Sequence, residues 1–255
     1  MHTTEAQATP DATDDGPWSA DVLTRLRAWD PAWTSDCERM TQAAWKAGGL
    51  SPRIASLVGL AVASACTALD PEGTRRQIRA ALAAGASRTD VLVVLKMASL
   101  LSIHTLSVGA PILLEEAKAA GVGPARPAEP APATPACDRM RAAGQWNVAW
   151  DPFYQLDPGW TDAFMAAGSG IYVGGGVEPK LAELLSIAFD ASIGHLYAPG
   201  VRRHIRAALA HGATVAEVMA VLQICVAQGV QACNMGVPIL AEELARAGAE
   251  GGTGA

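Results

Sequence analysis

The chain has no Cys-X-X-Cys pair, although it carries five cysteines (Cys37, Cys66, Cys137, Cys225 and Cys233). Dithiol redox chemistry therefore has no local machinery. The cysteines are odd in number and scattered, which reads as free thiols in a reducing compartment. Positive charge is also scarce: 19 Lys and Arg against 25 Asp and Glu leave a net charge of −6. Phosphate binding needs a basic face, so nucleic acid is not an expected partner. No run of about 18 or more residues is wholly apolar, so no membrane partner is expected. The N-terminal stretch MHTTEAQATPDATDDGPW has neither a basic start nor an apolar core, unlike a signal peptide. Together these features predict a cytoplasmic protein. Period-2 alternation is missing too, and with it the pattern of a half-buried strand.

What the chain does have is apolar content, 50% of its 255 residues, recurring at three- and four-residue spacing. That spacing predicts an all-α protein with a sizeable core. Residues 1–17 are polar and read as a disordered tail. A tryptophan-rich helical region (Trp18, Trp29, Trp33, Trp45) follows. Ser51-Pro52 opens a helix running to about Leu69, Asp70-Pro71-Glu72-Gly73 reads as a turn, and a second helix runs from Thr74 to Ala84. Ser87 and Asp90 have capping-box spacing and open a third helix to about Ser102, with a fourth element reaching Ala120. The segment 122–136, VGPARPAEPAPATPA, reads as a proline-alanine linker. The glycine-rich stretch from Gly168 to Gly176 reads as a flexible connection, because it lacks G-x-G-x-x-G spacing and follows no strand.

After the linker the pattern begins again. At a constant offset of 127, residues 52–121 match residues 179–248 at 27 of 70 positions. Unrelated segments of this composition should match at roughly 10. The expected organisation is a tail (1–17), a first copy (18–121), the linker (122–136), a second copy (137–249) and a short tail (250–255). Two such copies pack most simply about a pseudo-twofold axis, as a fused pseudo-dimer.

The duplication serves as an internal control, since residues kept in both copies are scaffold. Within the 22 residues 183–204, four ionisable residues stand against non-ionisable ones in the first copy: Glu183 against Ser56, Asp190 against Ala63, His195 against Ala68 and His204 against Gln77. Glu183 and Asp190 are seven apart and share a helix face. His195 is expected near the end of that helix. The turn Tyr197-Ala198-Pro199-Gly200 then brings His204 back on an antiparallel neighbour. A carboxylate and two imidazoles in an apolar pocket suit proton transfer, because burial raises a carboxyl pKa and histidine titrates near neutrality. The candidate catalytic residues are Glu183, His195 and His204, with Asp190 orienting a histidine. Asp190, Tyr197, Arg203 and His104 are candidate substrate contacts. Arg202, Arg203 and Arg206 have matching arginines at 75, 76 and 79, which leaves a scaffolding role open. His104 aligns with Gln231 and either completes a site shared between the copies or is an ordinary helix residue. The histidine spacing matches no specific zinc signature, so neither metal nor cofactor is expected.

The segments PKLAELLSIAFDAS and RRHIRAALAHGATVAEVMAVLQICVAQG, with their first-copy counterparts PRIASLVGLAVASA and RRQIRAALAAGASRTDVLVVLKMASLLS, resemble the carboxymuconolactone decarboxylase-like family. That family also contains the alkylhydroperoxidase D-like proteins. The resemblance implies an all-helical fold and assembly into homo-oligomers, here a trimer of fused pseudo-dimers. It implies either cofactor-free acid-base chemistry on a small lactone acid or thiol-dependent peroxide reduction. Glu183 and His204 match the family's Glu and His. His195 lies where the first redox cysteine would be expected, which weighs against the peroxidase branch. The expected function is therefore a lyase or isomerase acting on a small carboxylated or lactone substrate, with a peroxidase or a non-catalytic assembly protein as the alternatives.

Overall fold

A computed structural model describes residues 16–46, 49–123, 132–172 and 176–251. Among the described residues there are thirteen α-helices and no strand. The first half contains α1 (Ala20–Trp29), α2 (Pro31–Lys46), α3 (Pro52–Ser64), α4 (Pro71–Ala83), α5 (Arg88–Leu100) and α6 (His104–Ala119). The second contains α7 (Pro135–Ala142), α8 (Asp151–Leu156), α9 (Pro158–Tyr172), α10 (Pro179–Ala191), α11 (Ala198–Ala210), α12 (Val215–Ala227) and α13 (Gln231–Gly251). Helices α3 to α6 begin 127 residues before α10 to α13, and a 3₁₀ turn joins the last two helices of each set.

Local chemistry sets the helix starts. The Ser51 hydroxyl accepts from Ile54 N–H ahead of Pro52, and Asp70 accepts from Gly73 N–H ahead of Pro71. Asp70-Pro71-Glu72-Gly73 is thus the opening of α4 rather than a free turn, because the aspartate caps it and proline fits its first position. Ser87 with Asp90 forms the predicted capping box, and Thr214 with Glu217 forms its counterpart on α12. Gly85 and Gly212 follow α4 and α11 at φ of +87° and +83°, a left-handed conformation that glycine adopts without strain.

Some expected boundaries shift. Helix α3 ends at Ser64 and not near Leu69, since the chain turns through a left-handed Leu69 so that Asp70 N–H can reach Ala63 O. Helix α10 likewise ends at Ala191, leaving His195 in the following turn. Gly168 to Tyr172, expected as loop, continue α9, where Ser169 and Ile171 are buried. Pro17, expected in the tail, is buried, and its carbonyl accepts from Arg76, Gln231 and Asn234. Pro135 and Ala136, expected in the linker, open α7. The remainder of the expected tails and linker (1–15, 124–131, 252–255), and residues 173–175 of the glycine-rich stretch, lie outside the described residues.

The core forms around α3 and α10, which pack on each other. Residues 55–63 and 181–190 are buried without interruption. A helix apolar on all sides belongs at the centre of a bundle. Leu57, Leu60, Leu184, Leu185 and Ile187 are fully enclosed, each contributing about 1.5–3 kcal/mol through burial. The outer helices cross over: α1 packs on α13 and α2 on α12, while α8 packs on α6 and α9 on α5. Each half's leading helices therefore cover the other half's trailing ones. The stretches Arg88–Ala119 and Val215–Gly248 are long and apolar enough to cross a membrane by length and composition. Both are broken by the 3₁₀ turns at 101–103 and 228–230 and pack into this bundle.

Candidate functional site

Glu183 and Asp190 sit on α10 inside its fully buried stretch, with relative exposures of 6% and 2%. Two carboxylates in a helix core need partners, because an uncompensated buried charge is costly. Helix α11 supplies one. His204 Nδ1 lies 2.6 Å from Glu183 Oε2. An ionised carboxylate only accepts, so the Nδ1–H donates. This leaves Nε2 as the reactive nitrogen, 3.7 Å from Asp190 Oδ2. A carboxylate on one ring nitrogen fixes the tautomer and stabilises the imidazolium formed when the other takes a proton.

Asp190 is less well satisfied. Its Oδ2 is buried and accepts no hydrogen bond. Burial pushes its carboxyl up to about 7, against the favourable pull of His204 and Arg203. The carboxylate packs against Gly200, where a Cβ would come 1.8 Å from Oδ2. A glycine at the third residue of α11 is thus a condition of the site.

His104, the first residue of α6, comes from the first half. Its Nδ1 lies 3.6 Å from Asp190 Oδ1 and 2.7 Å from His195 Nε2. The ring stacks on Tyr197 at 4.0 Å. Burial, with His195, His204 and Arg203 nearby, lowers the His104 pKa to about 3, so the ring is neutral. Burial also lowers His195. The turn carrying His195 is held by Tyr197 N–H donating to Asp190 O, with Leu196 left-handed at φ 49°.

These side chains border a cavity of about 100 Å³. Glu183, Asp190, His204, Arg203, Tyr197 and His104 line it, while His195 stands behind His104 and does not. Arg203 donates to Gln145 O and lies over the Trp150 ring at 5.5 Å. Its counterpart Arg76 donates to Pro17 O, so part of this role is repeated scaffolding. Arg203 is nonetheless the permanent cation among the described lining residues. Of Trp146, Trp150 and Trp160, the tryptophans the sequence offers as shaping a pocket, Trp150 lines the cavity; Tyr172, Ser186 and Gln145, which the sequence pattern leaves unmarked, line it too. Tyr172 hydroxyl lies 3.1 Å from Ser186 Oγ, and burial raises the phenol to about 12. Only the contrast of Tyr172 with Trp45 and of Ser186 with Gly59 across the repeat could have marked them. Trp146 packs on Arg141 and Trp160 on Phe164, both outside the lining.

The equivalent position in the first half is a smaller cavity of about 30 Å³. There Gln77 replaces His204 and fills the space above Gly59, so that a Cβ at 59 would meet its Oε1 at 2.5 Å. Asp190 and Glu183 are replaced by Ala63 and Ser56.

Comparison with known proteins gives concordant results. Residues 158–242 match the model of the carboxymuconolactone decarboxylase family. Among solved structures, the chain is similar to one from Burkholderia xenovorans LB400 described as a "putative gamma-carboxymuconolactone decarboxylase subunit". The two are 31% identical, with a TM-score of 0.80 over 90% of this chain and 92% of that one. No curated protein matches.

Proposed function

The chain belongs to the carboxymuconolactone decarboxylase family, and from that premise we propose that it is a cofactor-independent acid-base lyase or isomerase acting on a small carboxylated or lactone substrate. The observation that carries this reading is the 2.6 Å contact of His204 with Glu183 inside the cavity. Arg203 is the group suited to a substrate carboxylate or lactone carbonyl, since it is a permanent cation on the cavity wall. In a decarboxylation, the C–C bond to the carboxylate breaks and its electron pair passes into the conjugated ring as an enolate. Carbon dioxide leaves, and the His204 imidazolium returns one proton to carbon. Water then restores that proton. An apolar wall of Met97, Leu100, Phe164 and Met165 disfavours the substrate's localised charge relative to the delocalised product of bond cleavage.

Tyr197 and His104 line the cavity with His204, and His195 acts through His104 by holding its ring. Thiol chemistry is less well served. Burial raises the Cys225 thiol to about 12 and the Cys137 thiol to about 11, away from the reactive thiolate. The test is to incubate the purified protein with gamma-carboxymuconolactone and other small lactone acids in D₂O. Carbon dioxide release with one deuterium gained at carbon supports the proposal. Absence of turnover across that panel, with peroxide reduction instead, contradicts it.

A further inference from the structure

His104, Asp190 and His195 have a property that proton transfer between Glu183 and His204 does not use. One ligand atom from each lies within 4.8 Å of the other two. His104 Nδ1 to Asp190 Oδ1 is 3.6 Å, and His104 Nδ1 to His195 Nε2 is 2.7 Å. Tetrahedral zinc with bonds of about 2.0–2.1 Å places its ligand atoms about 3.3 Å apart. The carboxylate–imidazole separation already fits. The two histidines need to part by about half an ångström, and His195 lies on a turn with its ring partly exposed.

A second observation is independent of this spacing. Asp190 is 2% exposed; its Oδ2, on the His204 side, accepts no hydrogen bond, and its Oδ1, the oxygen facing His104, has that ring nitrogen no nearer than 3.6 Å. Such a group is satisfied by a proton or by a cation. The pseudo-equivalent position carries none of the three, since the counterparts of His104, Asp190 and His195 are Gln231, Ala63 and Ala68. Arg203 and His204 are the nearby basic groups, and Arg203 is occupied with Gln145 O and the Trp150 face.

We propose that His104, Asp190 and His195 bind one divalent transition-metal cation of the zinc class, with three protein ligands and the fourth position left to water. Three ligands and an open position are the pattern of an exchangeable site, in contrast to a closed structural one. The cation sits at the edge of the cavity beside Glu183 and His204, and the proton chemistry proposed above does not require it. The ligands come from both halves, so occupancy also ties α6 to the turn after α10.

The test uses the untagged full chain, stripped with EDTA and titrated with Co²⁺ and then Zn²⁺. The expected result is one equivalent of Co²⁺ with the visible absorption of a tetrahedral centre, displaced by Zn²⁺, and a higher Tm with either metal. His104→Gln, Asp190→Asn and His195→Ala each weaken binding at least tenfold. His211→Ala, at an exposed histidine away from the cluster, and Glu183→Gln leave binding unchanged. Glu183→Gln thereby separates this inference from the proposed reaction. If the wild-type protein shows neither stoichiometric binding nor a Tm shift at millimolar Zn²⁺, the inference is overturned. Binding that survives Asp190→Asn and His195→Ala together overturns it equally.

Discussion

His204 and Gln77 occupy the same place in the two halves, but His204 meets the Glu183 carboxylate at 2.6 Å while Gln77 donates to the backbone carbonyl of Gly16 at 3.2 Å. The same α-helical pair thus presents a carboxylate–imidazole dyad on one side and, on the other, a smaller pocket with a glutamine in place of the histidine. That asymmetry locates the chemistry and supplies substitutions the scaffold already accommodates.

His204→Gln puts at this position the side chain that the first half carries as Gln77, with Glu183 and Asp190 still in place. We expect activity to fall by about 10²–10⁴-fold, the range for loss of a general acid-base group. The Tm should change by only a few degrees, as read by thermal unfolding. A His204→Gln protein of near wild-type activity would remove His204 from the proton path.

Gly200→Ala places a Cβ 1.8 Å from Asp190 Oδ2 and 2.8 Å from Tyr197 Cδ1. The carboxylate cannot retreat into a packed core, so we expect a loss of about 1–3 kcal/mol together with loss of activity. Gly109→Ala is the control. Gly109 lies inside α6 with nothing within 4 Å of the added carbon, and alanine there should gain about 0.5–1 kcal/mol. Denaturant unfolding of both variants measures the contrast.

Asp190 has a folded-state pKa of about 7 against 3.8. Between these values the folded state binds more protons than the unfolded one, so this group's contribution to stability falls as pH rises from about 4 to about 7. Asp190→Asn removes that dependence. Measured in EDTA, its stability relative to wild type should improve steadily from pH 4 to pH 7 and level off above. A pH-independent difference would contradict the assignment.

His104 has the opposite sign. Its folded-state pKa of about 3 lies below 6.5, so the unfolded state binds the extra proton in that window. Stability from this group is complete above about pH 6.5 and is lost as pH falls toward 3. His104→Gln, which introduces the side chain that the other half carries as Gln231, should therefore lose less stability on acidification than wild type. Urea unfolding at a series of pH values reads the difference.

Much of this site can be read from the chain because the repeat subtracts the scaffold. Glu183, Asp190 and His204 stand out as ionisable groups without counterparts, and a seven-residue spacing on an apolar helix turns two carboxylates to one face. Tyr172 and Ser186 escape notice because they are neutral, and Tyr172 and Trp150 reach the cavity through α9 and the turn before α8, whose docking is tertiary. The glycines before Tyr172 resemble a loop in sequence, but the buried Ser169 and Ile171 hold that segment as helix. Apolar periodicity places His195 at the end of α10. The left-handed Leu196 lets Tyr197 N–H return to Asp190 O, and that closure takes His195 off the helix. Sequence leaves His104 between a site shared by the two copies and an ordinary helix residue, since its partners lie 86 to 93 positions away in the other half.

Glu183 and His204 act together as the proton-transfer pair in the proposed reaction. The most direct test of that pairing is kcat/KM for Glu183→Gln on the lactone acid that the wild-type protein decarboxylates, with circular dichroism to verify the fold. A folded Glu183→Gln protein slowed by about 100-fold or more is the predicted result. A folded Glu183→Gln protein within about twofold of wild type would contradict it.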